Sequence, residues 1–392
     1  MNLSKLTRPV WAEINLDNLT HNIREVRRVT KEGVMVTAVI KADGYGHGAV
    51  EIAKVLLENG ADRLAVATLS EAIQLRRNYS ETEILILGYT PSDSFEELID
   101  YNITQTLYTL KQAVELNSLA LERGKVQKIH IKIDSGMSRL GMMVCDETLL
   151  DIENINKLTN LDIEGIFTHF AVADEVDKKF TYRQVDKFNY IVEELEKRGI
   201  NIPIKHVSNS ASIIDLADLN YNMVRAGIML YGLYPSDDVD KSKVQLREVM
   251  SLKAHLSNVK EVEAGTGVSY GLKYKTDKAE TIGTIPLGYA DGFTRLYSFA
   301  ANGIVKGEKR PIVGRICMDQ CMINLTGIDA EIGDEVILFG EKEGISISID
   351  EVASYIDTIN YEVVCMINKR VPRVYISQGK IVKIRDYVLD LI

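Results

Sequence analysis

Between residues 34 and 224 the chain repeats one pattern. A short apolar run is followed by a longer stretch whose apolar residues recur at helical spacing. The runs fall at 34–40, 63–67, 84–87, 104–107, 128–133, 162–168, 204–207 and 222–224. The first of these runs, from Val34 to Ile40, reads as a buried strand. The stretches between them read as amphipathic helices. Residues 181–198 put Phe188, Ile191 and Leu195 on one stripe, and Asp17 is expected to cap a helix carrying Leu19, Ile23 and Val26. Eight strand–helix units in series predict an α/β fold, a (β/α)₈ barrel. A doubly wound sheet is the alternative, because the runs at 104–107 and 222–224 are short.

The pattern changes near Gln245. Residues 248–258 and 280–287 alternate like half-buried strands, and β-like runs follow at 303–306, 310–313, 321–325, 334–339 and 380–385. One helix, 349–357, interrupts them. The expected organisation is a barrel over 12–245 and a mainly β domain over 246–392. The N-terminal segment 1–11 is expected to join the second domain.

Composition narrows the function. Of 392 residues, 46% are hydrophobic and 26% charged, as in ordinary globular proteins, and the net charge of -10 disfavours nucleic acid as a partner. No apolar run approaches a membrane span, and the start lacks the apolar core of a signal peptide, so the chain reads as cytoplasmic. Cys317 and Cys321 have no second ligand pair nearby; no metal site is expected, and the four cysteines read as reduced core residues.

In a barrel, reactive residues sit just after the strands, on the C-terminal face. Lys41 follows the first strand, within Val39-Ile-Lys41-Ala-Asp43-Gly44-Tyr45-Gly46-His47-Gly48. A lysine there can form a Schiff base with an aldehyde cofactor, and the glycines allow a sharp turn. Lys132 and Asp134 end the fifth strand, with Arg139 in the next loop. Thr168 and His169 end the sixth. Ser208, Asn209 and Ser210 follow the seventh, and Arg225, Gly227 and Ile228 the eighth. Loops after strands seven and eight are where barrels often hold phosphate. A lysine opposite a phosphate seat describes a site for pyridoxal 5′-phosphate. The glycine run fits neither a dinucleotide fingerprint nor a P-loop. Read singly, His21, His130 and His255 are structural.

Taken together, these segments resemble the bacterial alanine racemases nearly end to end. The motifs that carry the likeness are the Lys41 segment, Lys132-Ile-Asp-Ser-Gly-Met-Ser-Arg139-Leu-Gly141, Glu164-Gly-Ile-Phe-Thr-His169-Phe, Asn222-Met-Val-Arg225-Ala-Gly, Val268-Ser-Tyr270-Gly271, Ile285-Pro-Leu-Gly-Tyr289-Ala-Asp-Gly292, Gly314-Arg-Ile-Cys-Met318-Asp319-Gln and Thr358-Ile-Asn-Tyr361-Glu. The resemblance implies that Lys41 carries pyridoxal 5′-phosphate. Tyr45, Ser210, Tyr361 and the backbone of Gly227 and Ile228 would hold the phosphate, with Asn209 beside them. Arg225 would face the pyridine nitrogen, and His169 would lie beside the ring and bond Arg225. Tyr270 of the partner subunit would be the second base of a homodimer with shared sites. Arg139 and the backbone of Met318 would contact the substrate carboxylate, Tyr289 would narrow the entrance, and Lys132 would be carbamylated. His47 is expected to be structural.

The implied chemistry is interconversion of L- and D-alanine, supplying D-alanine for peptidoglycan. Racemisation removes a proton on one face and returns one on the other, so two bases are required. Free tyrosine and lysine are about three units too basic to act at neutral pH, and both need cationic neighbours. A racemase of another small amino acid such as serine, a decarboxylase of the same fold type, and a non-enzymatic pyridoxal phosphate-binding protein remain as alternatives.

Overall fold

The computed structural model describes residues 3 and 6–389, and the chain divides into two compact units. One comprises Leu19–Gly44 and Ala49–Arg247. The other comprises residues up to Asn18, the short segment Tyr45–Gly48, and the chain from Glu248 onward.

The first unit is a parallel barrel. Its strands are Met35–Val39, Arg63–Val66, Ile84–Ile86, Thr104–Leu107, Gln127–Asp134, Leu161–Phe167, Ile204–His206 and Met223–Ala226. They pair in chain order, and the eighth lies parallel beside the first, Met223 opposite Met35. Between the seventh and eighth, closure is carried by the Asn222 N–H to the Lys205 carbonyl (3.1 Å) and the Arg225 N–H to the Ser208 carbonyl (3.0 Å). A ring of this kind rules out the doubly wound alternative. The strands are largely buried; Leu64, Ala65 and Val66 are all fully buried, as a sheet covered on both faces requires. The eighth strand runs to Ala226, so Arg225 lies within it and not after it.

The helix Leu16–Val29 buries Leu19, Ile23 and Val26 on one stripe. Each such side chain contributes roughly 1.5–3 kcal/mol on burial. Its cap differs from the expected one. The Asn15 side-chain oxygen accepts from the N–H groups of Asp17 (3.0 Å) and Asn18 (2.9 Å), which makes Asn15 the cap. The Asp17 carboxylate instead accepts from the Ser377 hydroxyl and the Gln378 N–H.

The second unit is built on a mainly antiparallel sheet. Val10–Asn15 lies inside it, antiparallel to Met250–His255 and parallel to Arg373–Ser377. The region 248–258 is not one strand. It breaks after His255, and Asn258–Val262 pairs separately with Glu280–Ile285. The helix expected at 349–357 is present as Ile349–Ser354, whereas the helix Asn360–Met366 and the strands Ile345–Ile347 and Arg373–Ser377 were not expected.

Candidate active site

Lys41 opens a turn of unusual handedness. Ala42, Asp43, Gly44, Tyr45 and Gly46 all have positive φ, 53°, 54°, 64°, 51° and 80°. Left-handed backbone costs roughly 1–2 kcal/mol at each non-glycine position, so the turn must be held from outside. The Glu71 carboxylate accepts the Ala42 N–H (2.6 Å), the Asp43 carboxylate accepts the Ala49 N–H (2.9 Å), and the Gly44 N–H returns to the Ile40 carbonyl (2.9 Å). Glu71 also completes the capping box of the helix Leu69–Arg76, which fixes its own position.

Arg225 is buried and its planar guanidinium is almost fully engaged. Nη1 donates to His206 Nδ1 (2.8 Å) and the His206 carbonyl (3.2 Å). Nη2 donates to the Thr168 and Val207 carbonyls (2.9 and 3.0 Å) and reaches His169 Nδ1 (3.2 Å). Arginine has five N–H donors. The fifth, on Nε, has no protein acceptor among the described residues. Burial, followed by Arg225, Arg139, Lys132 and Lys41, holds the His169 imidazole well below its ordinary value, so it is neutral. Its Nδ1 accepts, and its proton is therefore on Nε2. Gln184 fixes the loop, accepting the Ala171 N–H (2.9 Å) and donating to the His169 carbonyl (3.1 Å).

Lys132 is buried at the end of the fifth strand and donates to the Ile133 carbonyl (2.7 Å). Burial, then Arg225 and Arg139, push its amine down to about 7. The Asp134 carboxylate gathers the N–H groups of Gly136, Met137 and Ser138 (2.9, 3.0 and 3.1 Å) and so builds the loop that carries Arg139. Arg139 is exposed and makes no ion pair or side-chain hydrogen bond among the described residues.

The loops after the seventh and eighth strands come together. The Ser210 hydroxyl accepts from the N–H groups of Gly227 (3.0 Å) and Met229 (3.5 Å). Asn209 caps the helix Ser210–Asp215 reciprocally with Ser212. Ile228 opens the following turn.

In the second unit Tyr45 and Tyr361 stand with ring centroids 6.3 Å apart. Burial pushes the Tyr45 phenol up, which keeps it a donor. Tyr289 and Met318 lie on loops zipped by the Tyr289 N–H to Cys317 and the Ala290 N–H to Met318 (both 3.0 Å). A Cβ at Gly288 would sit 2.3 Å from the Cys317 carbonyl oxygen, so only glycine lets these loops run together. Tyr270 is 69% exposed on a turn flanked by positive φ at Ser269 and Gly271. His47 is fully buried, its Nδ1 on the Tyr45 carbonyl (2.9 Å), in keeping with a structural part.

Models of the alanine racemase N-terminal and C-terminal domains match residues 14–235 and 249–375. The chain belongs to the alanine racemase family. The alanine racemase of Clostridium tetani is 51% identical over 386 residues, covering 98% of this chain and 100% of that protein. The solved alanine racemase of Clostridium difficile 630 superposes with a TM-score of 0.95 at 50% identity, covering 98% of this chain and 100% of that one. That of Bacillus anthracis with bound L-Ala-P gives 0.94 at 35% identity, over 98% and 99%. The protein is thus an isomerase of a pyridoxal phosphate-dependent family whose members act as dimers. Among the described residues no helix is long and apolar enough to cross a membrane, and no cluster of His, Cys, Asp or Glu is placed to hold a metal.

Sequence reasoning missed His206 and gave His130 only a structural part. Both belong to the hydrogen-bonded interior around Arg225. A signal was available, because each sits on a barrel strand among apolar neighbours.

Proposed function

We propose that this chain interconverts L- and D-alanine with pyridoxal 5′-phosphate, supplying D-alanine for peptidoglycan. The observation that carries the reading is the guanidinium of Arg225. Four of its N–H groups are taken by fixed acceptors, and the donor left over, on Nε, suits an unprotonated ring nitrogen. Lys41 would hold the cofactor. Ser210, Asn209 and the backbone of Gly227 and Ile228 would face its phosphate, with the phenols of Tyr45 and Tyr361. When bound, the cofactor weakens the Cα–H bond of an amino acid joined to its aldehyde carbon.

The chain's own residues then move one proton. The Lys41 amine serves one face of Cα and the phenolate of Tyr270 of the partner subunit the other. One takes the proton and the other returns one, and the direction reverses for the opposite enantiomer. His169 supports the phenolate. With Nδ1 turned to Arg225, its Nε2–H is the group available to donate to the phenol oxygen. Arg139 and the Met318 backbone would bind the carboxylate, and Tyr289 would limit the side chain to a small one. Arg225, which can only donate, would keep the cofactor's ring nitrogen unprotonated and so favour rapid return of the proton over transamination.

The test is complementation. Lys41→Ala protein mixed with Tyr270→Phe protein should recover partial racemase activity, and in D₂O alanine should gain an α-deuteron in both enantiomers. No recovery despite demonstrated subunit exchange would sink the shared site. Loss of CO₂ would point to decarboxylation, and no exchange at all to a binding protein.

A further inference from the structure

Below Arg225 a line of polar side chains runs through the barrel interior and has no part in the roles assigned above. His206 Nε2 lies 2.9 Å from His130 Nδ1, and His130 Nε2 lies 2.9 Å from a Glu164 carboxylate oxygen. The same oxygen accepts from Arg63 Nη2 (2.8 Å). Both imidazoles are fully buried. The two ends dictate the direction of the line. A guanidinium only donates, so His206 Nδ1 is bare and its proton is on Nε2. That proton goes to His130 Nδ1, which leaves His130 to donate from its own Nε2. An ionised carboxylate only accepts, and Glu164 receives it. Both ends favour this direction, and without the Glu164 carboxylate only the Arg225 contact opposes reversal.

The sheet is altered to seat this line. Pairing of the fifth and sixth strands runs Ile129 opposite Ile163, then His130 opposite Gly165, so Glu164 is the extra residue of a bulge. Bulges re-aim a side chain. At Gly165 a Cβ would lie 2.5 Å from His130 Cε1 and Nδ1, so the imidazole occupies the space that any side chain there would need. Two residues on, Phe167 stacks against His206 (4.6 Å, 10°).

We propose that Glu164 is a positioning residue for Arg225: through His130 and His206 it fixes both imidazoles as Nε2–H tautomers, so that Arg225 meets a bare nitrogen and its guanidinium is held in one orientation. The proposal rests on Arg225 facing the cofactor ring, but its first test does not need the cofactor. Nitrogen-15 NMR of histidine-labelled protein without cofactor, assigned by substitution, should show the His130 and His206 imidazoles with bare Nδ1 and protonated Nε2, unchanged from about pH 6 to about pH 8. Glu164→Met should mix the tautomers of both. Glu164→Gln, which keeps an acceptor oxygen, should restore them. In the loaded enzyme Glu164→Met should lower kcat about tenfold or more with KM little changed, the usual loss when a second partner of a ligand is removed. It should also move the cofactor absorption maximum, and Glu164→Gln should recover most of both. An Nδ1–H tautomer in the wild type would overturn the proposal. So would wild-type tautomers and absorption in folded Glu164→Met. Should that variant not fold, Gly165→Ala displaces His130 while keeping the carboxylate, and carries the same readouts. Failure of the cofactor reading would appear separately, as wild-type tautomers in protein whose cofactor spectrum ignores Arg225 substitutions.

Discussion

Lys132 offers a sharp quantitative test of the barrel's electrostatics. Its ammonium is buried, and Arg225 and Arg139 repel it. Its amine is pushed from 10.5 to about 7. That shift of about 3.5 units corresponds to roughly 5 kcal/mol against the charged form. At neutral pH about half of Lys132 is then free amine, against roughly one in 3,000 for a solvated lysine. Carbon dioxide reacts with the neutral amine, so Lys132 should carbamylate on the order of 1,000 times more readily than surface lysines at the same pH. The product is an anion, which the same two arginines attract. A carbamate there also gives Arg139 an acidic partner, which none of the described residues provides. Protein equilibrated with ¹³C-bicarbonate near neutral pH should show one carbamate resonance and a matching mass increase in native spectra. Both should vanish on acidification and in Lys132→Met. No carbamate at saturating bicarbonate, or an equal signal from Lys132→Met, would refute the reasoning.

Two other expectations follow from the same interior. Burial holds His130 and His206 below the ordinary imidazole value of 6.5, so the unfolded chain takes up protons there that the folded one does not. Stability should therefore fall as pH drops below about 6.5, by up to about 1.4 kcal/mol per pH unit for each group and roughly 3 for the pair; urea midpoints of the barrel transition that stay flat down to pH 5.5 would contradict this. Arg225→Glu should place a shared proton on the cofactor ring nitrogen, giving a new long-wavelength absorption band with alanine and measurable transamination; an unchanged spectrum in a folded, cofactor-loaded variant would remove Arg225 from its assigned role.

Barrel strands such as Met35–Val39 and Ile84–Ile86 were legible because burial on both faces leaves apolar runs, the others by their place in the repeat, and Lys41, His169 and Arg225 because they follow such runs. Other parts needed information that is not local. Asn15 and Asp17 are both good capping residues, and the choice between them depends on where the strand Val10–Asn15 stops. The helix Asn360–Met366 carries the β-branched pair Val363-Val364, which reads as strand, and both side chains are buried on one helical face. Gly44, Gly46 and Asp43 hint at the left-handed turn after Lys41, but it also takes in Ala42 and Tyr45, which have no preference for that conformation. Part of what holds it lies in Glu71, a helix away.

The line from Arg225 to Glu164 was partly readable, and the reason lies in strand periodicity. Side chains alternate along a strand, so in Gln127–Asp134 the residues Ile129, Ile131 and Ile133 share one face and Lys128, His130, Lys132 and Asp134 the other. Inside a parallel barrel the ordinary filling is branched and apolar. Four polar residues at alternate positions of one barrel strand are therefore a local departure from the rule that the whole fold obeys, and such departures concentrate where function is built. Lys132 and Asp134 drew attention because they stand at the strand's end, whereas His130, two residues deeper on the same face, did not. What alternation cannot supply is the partner. Glu164 reaches His130 only because a bulge shifts the register of the neighbouring strand, and Gly165 leaves room for the imidazole. Groups that touch a ligand can be read by residue type at a strand end. Those that orient them are specified by register, which exists only once two strands have paired.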